Sequence, residues 1–230
     1  MKVVILAING LDYDMMVRFK TLRQTEFGKV DYTNVPLITT IVWASFITGL
    51  YPKDHGVDMH NDKIREGVKT IFHEAKKPIA LWIPSWNPHP KYWHPYHMYL
   101  LPKAAAGDRG SFIVYEKEIH NLFNEQREVF LQRLDEDFDL IMAHFNYIDA
   151  MGHAVRNLEK MMKYVVLVDK FVYDVIQKLN KKFDRYFLLI ISDHGLEHNP
   201  NGCYSSNIQL NLKKPHITDF YRIIVEMLKK

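Results

Sequence analysis

The stretch "VVILAINGLDYD" (residues 3–14) opens with an apolar run that stops abruptly at Asn9-Gly10. A strand with one solvent-exposed face alternates apolar and polar residues, and this run does not alternate. The stretch therefore predicts a β-strand that is covered on both faces, as in the interior of a parallel sheet. Two carboxylates follow, Asp12 and Asp14, so the end of this strand is either a simple turn or the edge of a functional site.

Three further apolar runs along the chain have the same character. They are "PIALWI" (78–83), "FDLIMAHF" (138–145) and "YFLLIIS" (186–192). Segments with helical periodicity separate or follow the strands, at 65–77, 115–134, 157–179 and in "DFYRIIVEML" behind Thr218, which is a candidate N-cap. Strands and helices thus alternate, which predicts an α/β fold with a doubly wound, mostly parallel sheet and helices on both faces.

Length predicts one domain, and one segment of it is irregular. A chain of 230 residues is ordinary for a single domain, here 1–230. Residues 84–113 are rich in Pro, Trp, Tyr and His, and this composition indicates a long excursion over the surface of the sheet.

Composition limits the function classes. The formal net charge is +3 and the basic residues are dispersed, which argues against a stable nucleic-acid partner. Cys203 is the only cysteine, so the sequence has neither a disulfide framework nor a thiolate metal cluster. The first apolar run is too short for a signal sequence and no run approaches a membrane span, so we expect a cytoplasmic protein without a membrane association.

Polar residues follow three of the predicted strands, where open α/β sheets bind ligands. They are Asn9, Asp12 and Asp14 after the first strand, Asp149 and His153 after the strand at 138–145, and Asp193, His194 and His198 after the strand at 186–192. Carboxylate and imidazole groups without thiols suit Zn, Mn or a similar divalent ion. Either Asp-His pair alone is more often a turn or a cap, but their coincidence at two strand ends favours a metal site.

A hydroxyl group is available nearby in sequence. In "NVPLITTIVWASFITGLYPKDHG" (34–56), a helix closed by Gly49 is predicted to begin at Thr39-Thr40. A helix N-terminus favours anions, so one of these hydroxyls is placed to attack a bound phosphoryl group. Threonine is also a usual N-cap, and the local pattern leaves open which threonine is the cap and which the nucleophile.

These segments, taken in order, resemble a known family. "ILAINGLDYDMM", "ITTIVWASFITGLYPKDHG", "FDLIMAHFNYIDAMGH" and "LLIISDHG" are similar to segments of the alkaline phosphatase superfamily, and most to its type I phosphodiesterase/nucleotide pyrophosphatase branch. The combination of TGLYPxxHG, DxxxH and SDHG carries the resemblance, from residue 2 to about residue 198. It implies a hydrolase of small phosphoesters or nucleotides that uses two divalent ions, Zn or Mn.

The resemblance also implies roles for individual residues. One ion would be held by Asp149, His153 and a later histidine, which is His198 with His216 as the competitor. The other ion would be held by the residue that ends the first strand, the nucleophile and the SDHG pair, which are Asn9, Thr39, Asp193 and His194. Thr39 is selected over Thr40 because the family places its nucleophile nine residues before the threonine of the "TG" pair, here Thr48.

The resemblance further implies that residues 84–113 form a compact cap on the substrate side. Trp86, His89 and Trp93 are then candidates to stack on a base or to close over a phosphate ester. Packing of the cap against the domain is the alternative.

The chain departs from the family at one of these positions. The family ends its first strand with Asp-Gly, whereas this chain has Asn9-Gly10. Asn offers a neutral carbonyl oxygen in place of a carboxylate, so the second ion should bind more weakly or depend on an anionic substrate. A non-catalytic metal- or nucleotide-binding descendant is therefore one alternative, and a phosphomonoesterase or a phosphotransferase is another because the same core serves these activities. Asp12 and Asp14 we interpret as first-turn helix caps.

Overall fold

The computed structural model describes residues 1–91 and 94–230, and within them six strands form one sheet. The strands are β1 (Lys2–Ile8), β2 (Glu26–Lys29), β3 (Pro78–Leu81), β4 (Leu140–Phe145), β5 (Tyr186–Ile191) and β6 (Cys203–Ser206). Their order is β2-β6-β5-β1-β4-β3. The pairs β5·β1, β1·β4 and β4·β3 are parallel, and only the two pairs that β6 makes, with β5 and with β2, are antiparallel. The predicted mostly parallel sheet is confirmed.

The four strands predicted from apolar runs are β1, β3, β4 and β5, with ends shifted by no more than two residues. The sequence did not reveal β2 and β6. Both are four residues long, and their sequences, "EFGK" and "CYSS", have few apolar side chains. Segments this short and polar carry no periodicity signal, and only pairing with β5 through β6 places them in the sheet.

Helices fill the connections. They are α1 (Tyr13–Met16), α2 (Thr39–Thr48), α3 (Pro52–His55), α4 (Ile71–Glu74), α5 (Pro95–Ala105), α6 (Arg109–Arg133), α7 (Tyr147–Val155), α8 (Leu158–Lys182) and α9 (Asp219–Lys229), with a 3₁₀ turn at Leu196–His198. The helices predicted at 115–134 and 157–179 correspond to α6 and α8. None of the helices in the described ranges is long and apolar enough to cross a membrane.

The predicted helix at 65–77 is wrong, because only one turn of it, α4, is helical. Gly67 has φ +83°, a left-handed conformation that does not continue a helix. Thr70 and His73 form a capping box that starts α4, and Ala75 is already extended. The Asp139 carboxylate then accepts hydrogen bonds from the N–H groups of residues 76 and 77, which guides the chain into β3.

The segment 84–113 is more regular than expected, because α5 and the start of α6 occupy its second half. Pro95 stands in the first turn of α5, where a missing N–H costs nothing. Thr218 precedes α9 as predicted, but its hydroxyl bonds Nδ1 of His216 at 2.7 Å and makes no capping bond. Pro95 thus lies at a helix start for the expected reason, whereas the Thr218 side chain contacts a loop residue instead of capping α9.

Both faces of the sheet are covered, which explains why the first stretch does not alternate. Val4, Leu6 and Ile8 of β1 belong to a core shared with α1 and α5 to α8. Their neighbours at positions 3, 5 and 7 belong to a second core shared with α2, α4 and α9. The prediction of helices on both faces is confirmed, and the carboxyl end of β1 lies in the middle of the sheet.

His55 in α3 makes stability depend on pH. Its ring is buried, Nδ1 accepts the N–H of Val57 at 3.1 Å, and Nε2 lies 3.0 Å from Ser45 Oγ. A proton added at Nδ1 would face the Val57 N–H. Burial accordingly lowers the pKa of His55 to about 4, and the opposing charges of Asp54 and Arg65 matter less.

We expect the free energy of unfolding to fall as the pH drops from about 6.5 to about 4, because an unfolded histidine titrates near 6.5 and takes up the proton first. Urea unfolding at several pH values measures this slope. The variant His55→Gln should flatten it, whereas His60→Gln, at an exposed histidine, should not. Burial also lowers the pKa of His144 to about 3, so part of the slope should remain. An unchanged slope in His55→Gln would contradict the assignment of this pH dependence to the buried His55 ring.

Candidate metal centre

The carboxyl ends of three neighbouring strands bring the predicted residues together. β4, β1 and β5 are adjacent and parallel, so the residues that follow them share one edge of the sheet. The N–H of Gly10, after β1, donates to Asp193 Oδ1, after β5, at 3.2 Å. The N–H of Asp149, in α7 after β4, donates to the carbonyl oxygen of Asn9 at 3.1 Å. Backbone groups of the β1 end thus fix both acidic residues.

Gly10 is required at this crossing. Its φ is +73°, and a Cβ built there would lie 2.9 Å from the Cα of Asp149. No real side chain tolerates that distance to a backbone atom. The Asn-Gly pair that interrupts the first apolar run is therefore a turn that lets α7 approach the end of β1.

Asp149 lies between two histidines. Its Oδ2 is 3.4 Å from His153 Nε2, and its Oδ1 is 4.0 Å from His198 Nε2. Burial alone would raise the pKa of Asp149, but the hydrogen bond from His153 and the charges of His194 and His198 hold that pKa below its usual value. The same bond raises the pKa of His153 against the effect of burial. The carboxylate therefore stays ionised in a buried place.

Asp193 and His194 are fully buried side by side. Asp193 Oδ2 and His194 Nε2 lie 3.4 Å apart but without the alignment of a hydrogen bond. Burial raises the pKa of Asp193. The His194 ring stacks on His198 with a centroid distance of 4.1 Å. Ligand atoms of Asp149, His194 and His198 all lie within 4.8 Å of one another, which is the spacing of side chains around one metal ion.

The tautomers of two histidines suit metal binding. His194 Nδ1 lies 2.8 Å from the carbonyl oxygen of Gly195, and His198 Nδ1 lies 3.0 Å from that of Leu37. A carbonyl oxygen only accepts, so each Nδ1 carries a proton, and in the neutral form of each ring Nε2 presents a lone pair. Metal-ligating histidines are held by their second nitrogen in this way.

On the residues that directly follow β1 and β5, three buried polar atoms have no hydrogen-bond partner among the described residues: Asn9 Oδ1, Asp193 Oδ2 and His194 Nε2. Buried polar atoms in folded proteins are nearly always paired, because an unpaired one costs desolvation energy. All three are electron-pair donors, and the carboxylate, amide and imidazole types match those of Zn and Mn sites. The residues present thus fit a divalent ion.

The start of α2 carries both candidate hydroxyls. Ile38 is the N-cap and makes no side-chain capping bond, so neither Thr39 nor Thr40 acts as the N-cap. Thr39 is the first residue of the helix, and its Oγ1 lies 3.5 Å from Asn9 Nδ2. The free N–H groups of a ten-residue helix open beside this hydroxyl, which is an arrangement that binds anions.

A cavity of about 420 Å³ lies in front of this helix, which is within the range of small-molecule sites. Its described lining is Asn9, Ile38, Thr39, Thr40, Asp62, Pro84, Ser85, Pro88, His89, His144, Asn146 and His198. Of the candidate substrate residues, His89 reaches the cavity, and its ring is tilted against that of Trp82 with a centroid distance of 5.5 Å. Trp86 instead packs on Phe72 at 5.5 Å, and Trp93 lies outside the described residues.

Three lining residues were not singled out from the sequence. Asn146 follows β4 directly and its Oδ1 accepts a hydrogen bond from Asn9 Nδ2 at 2.6 Å. The rule that strand ends bind ligands could have found it. His144 lies within an apolar strand and resembles a core residue, with its ring edge on Trp43 at 5.4 Å. Asp62 lies in a loop without any motif.

His216, the alternative to His198 as a ligand, and Asp12, one of the carboxylates after the first strand, both make structural hydrogen bonds. His216 uses both ring nitrogens, Nδ1 with Thr218 Oγ1 at 2.7 Å and Nε2 with the carbonyl oxygen of Thr33 at 2.8 Å. This arrangement supports His198 as the later ligand. Asp12 caps α1 by accepting the N–H of Asp14 at 2.9 Å, as predicted, and it also accepts from Asn201 Nδ2 at 2.6 Å.

Solved structures show that the fold is alkaline phosphatase-like. The alkaline phosphatase from the Antarctic bacterium TAB5 aligns with a TM-score of 0.61 at 11% identity, over 99% of this chain and 98% of that chain. A putative sulfatase, yidJ from Bacteroides fragilis, aligns with a TM-score of 0.57 at 12% identity, over 99% of this chain and 73% of that one. At such identities the likeness shows the fold alone.

The family is given by the sequence pattern of type I phosphodiesterase / nucleotide pyrophosphatase, which matches residues 3–218. The chain belongs to this family. Murine ectonucleotide pyrophosphatase / phosphodiesterase 5 aligns with a TM-score of 0.52 at 15% identity, over 85% of this chain, and the alignment spans just over half, 57%, of the murine chain. A comparison with curated proteins finds no match.

Proposed function

We propose that this protein is a metal-dependent phosphodiesterase that uses Thr39 as its nucleophile and two divalent ions, Zn or Mn, as cofactors. The observation that carries the proposal is the position of the Thr39 hydroxyl. It belongs to the first residue of α2, a helix whose N-terminus has no side-chain capping bond, and it lies 3.5 Å from Asn9 Nδ2. The Oδ1 of Asn9 is one of the buried atoms without a partner among the described residues. A nucleophile, an anion site and metal-type ligands thus meet at one cavity.

The side chains divide into two ligand sets around Asp149 and Asp193. Asp149, His153 and His198 would hold one ion, and Asn9, Thr39, Asp193 and His194 would hold the other. The short distances among Asp149, His194 and His198 suggest that the two sets adjoin. When bound, the ions supply Lewis-acid polarisation of the ester and a lower pKa for water.

The chain's own groups account for the covalent steps. Thr39 Oγ1 loses its proton and bonds to phosphorus, while the bond from phosphorus to the leaving oxygen breaks and the departing alcohol gains a proton. The free N–H groups at the start of α2 hold the phosphoryl oxygens during this transfer. Water then attacks phosphorus, the bond to Oγ1 breaks, and Thr39 regains its proton.

The charge of the cavity favours a diester over more highly charged substrates. Its described lining has three histidines and one carboxylate, Asp62, but neither Lys nor Arg. Apart from the two ions, the second negative charge of a phosphomonoester would find neither a Lys nor an Arg side chain in this lining. The volume suits a nucleoside-sized group, and an inactive threonine-to-alanine variant of murine ectonucleotide pyrophosphatase / phosphodiesterase 5 is known in complex with AMP.

A substrate panel tests the function. With Zn or Mn added, we expect bis-nitrophenyl phosphate to be hydrolysed with a kcat/KM at least about tenfold above that of nitrophenyl phosphate, corresponding to about 1.4 kcal/mol. Chelation with EDTA should abolish hydrolysis, and re-addition of metal should restore it. Nitrophenyl sulfate serves as the comparison for the sulfatase-like neighbours.

The alternatives predict different results in the same panel. A faster monoester reaction would indicate a phosphomonoesterase, and transfer of the phosphoryl group to added methanol in preference to water would indicate a phosphotransferase. Metal binding without turnover of any ester would indicate a non-catalytic descendant. Each of these outcomes would contradict the proposed phosphodiesterase activity.

A further inference from the structure

The side-chain amide of Asn9 is surrounded on its nitrogen side by three oxygens. Nδ2 lies 2.6 Å from Asn146 Oδ1, 3.5 Å from Thr39 Oγ1 and 3.5 Å from Asp149 Oδ2. Asn9 is only 2% exposed, and its Oδ1 has no hydrogen-bond partner among the described residues. One end of this amide is therefore held firmly, and the other end is buried with its lone pairs unused.

Chemistry fixes which way this amide faces. If the amide were reversed, its oxygen would face the carboxylate of Asp149, and no hydrogen would lie between the two acceptors. Turning the Asn146 amide as well would restore that single bond but would leave the clash with Asp149. The contact with Asn146 is the only short one of the three, so Asn146 supplies most of the hydrogen bonding that holds the orientation.

Within residues 1–91 and 94–230, the bond with Asn9 is the only hydrogen bond of the Asn146 side chain. It stands at the N-cap position of α7 but makes no capping hydrogen bond. It is half-buried, between the end of β4 and the cavity.

We propose that Asn146 is a positioning residue that makes an asparagine usable as a metal ligand at position 9. Its Oδ1 accepts the hydrogen bond of Asn9 Nδ2, which leaves the unpartnered Oδ1 of Asn9 as the neutral oxygen that can serve as a ligand. An aspartate at position 9 would present an oxygen at either end and would not need this orientation. The inference rests on the proposed metal centre and adds to it a residue outside the ligand set that the resemblance implies.

A double-mutant cycle read by metal affinity tests the proposal. Titration calorimetry of Mn or Zn into metal-free protein would compare the parent, Asn146→Ala, Asn9→Asp and the double variant. We expect Asn146→Ala to weaken binding about tenfold in the parent, as is typical for partners of metal ligands, and less than about threefold in the Asn9→Asp background. Asn9→Asp alone should tighten binding, because it adds a negative charge.

Two further variants separate orientation from folding. Asn146→Asp keeps an acceptor oxygen for Nδ2 of Asn9, so it should bind the ion at least as well as the parent. Asn121→Ala replaces an exposed asparagine of α6 and should leave the affinity unchanged. Thermal unfolding of the metal-free variants shows whether each one is folded.

Equal losses from Asn146→Ala in both backgrounds would overturn the proposal, because the effect would then not depend on the amide at position 9. No loss in the parent would overturn it as well. The outcome is distinguishable from the fate of the proposed function. A chain that shows the coupling but hydrolyses no ester refutes only the phosphodiesterase activity, and an active diesterase with equal losses refutes only the role of Asn146.

Discussion

Substitution Thr39→Ala should lower kcat for diester hydrolysis at least about 10³-fold, as expected when the nucleophile of a covalent mechanism is removed. The hydroxyl stands at the first residue of α2, where the free N–H groups would hold the phosphoryl oxygens in the proposed mechanism. An alanine keeps the helix and its N–H groups, so substrate binding should suffer much less than turnover. Steady-state kinetics with bis-nitrophenyl phosphate and saturating metal measure both quantities.

The neighbouring threonines give matched controls for this result. Thr39→Ser retains a hydroxyl and should keep activity within about tenfold of the parent. Thr40→Ala should cost far less than Thr39→Ala, since the resemblance assigns the attack to position 39. Thr33→Ala, at an exposed loop residue, should not change the kinetics. If Thr40→Ala abolished turnover and Thr39→Ala did not, the nucleophile would be Thr40.

The second large effect is expected at Asp193, where metal binding and stability should change in opposite directions. Asp193→Asn removes the negative charge of a ligand, so affinity for Zn or Mn should fall at least about 100-fold, more than for changes next to ligands. The metal-free protein should instead become more stable by roughly 1 to 2 kcal/mol, because a buried carboxylate oxygen without a partner is replaced.

The geometry explains the gain in stability. Asp193 Oδ1 accepts the N–H of Gly10, and an amide oxygen can do the same. Asp193 Oδ2 lies 3.4 Å from His194 Nε2, and in Asp193→Asn the amide nitrogen would take the place of this oxygen. The lone pair of the neutral His194 ring can accept a hydrogen bond from that amide N–H. Thermal unfolding in EDTA and calorimetric titration with metal measure the two effects. A variant that lost stability without metal, or bound metal as the parent does, would contradict this role.

Asp184→Asn provides the matched control for Asp193→Asn. This aspartate is exposed just before β5 and outside the site. The same change of charge and shape should alter neither metal affinity nor the unfolding temperature by a measurable amount, since isolated surface charges contribute little. A similar loss of affinity in both variants would point to a general effect of net charge.

Sequence patterns were reliable where burial on both faces leaves a long apolar run. The runs at 2–8, 78–83, 138–145 and 186–192 became β1, β3, β4 and β5. Sequence patterns gave a wrong prediction where long-range contacts override the local pattern. The apolar spacing at 65–77 indicates a helix, but Gly67 and the Asp139 carboxylate restrict it to one turn.

The candidate site shows the same division. The order of the motifs and the departure from Asp to Asn at position 9 are visible in the sequence alone. The sequence does not show that Asn9 Nδ2 donates a hydrogen bond to Asn146 Oδ1, or that both ring nitrogens of His216 contact Thr33 and Thr218. Both facts depend on residues that are distant along the chain and meet only after folding.

The sequence by itself therefore determined the class of fold, the types of ligand atoms and the family, because local periodicity and motif spacing are written along the chain. The tertiary structure decided which atoms meet. The order β5-β1-β4 brings Asp193, Asn9 and Asp149 to one edge of the sheet, although Asn9 and Asp149 are 140 residues apart along the chain. Distances across a sheet follow from strand order and register, which pairing between remote segments sets and which no local stretch encodes.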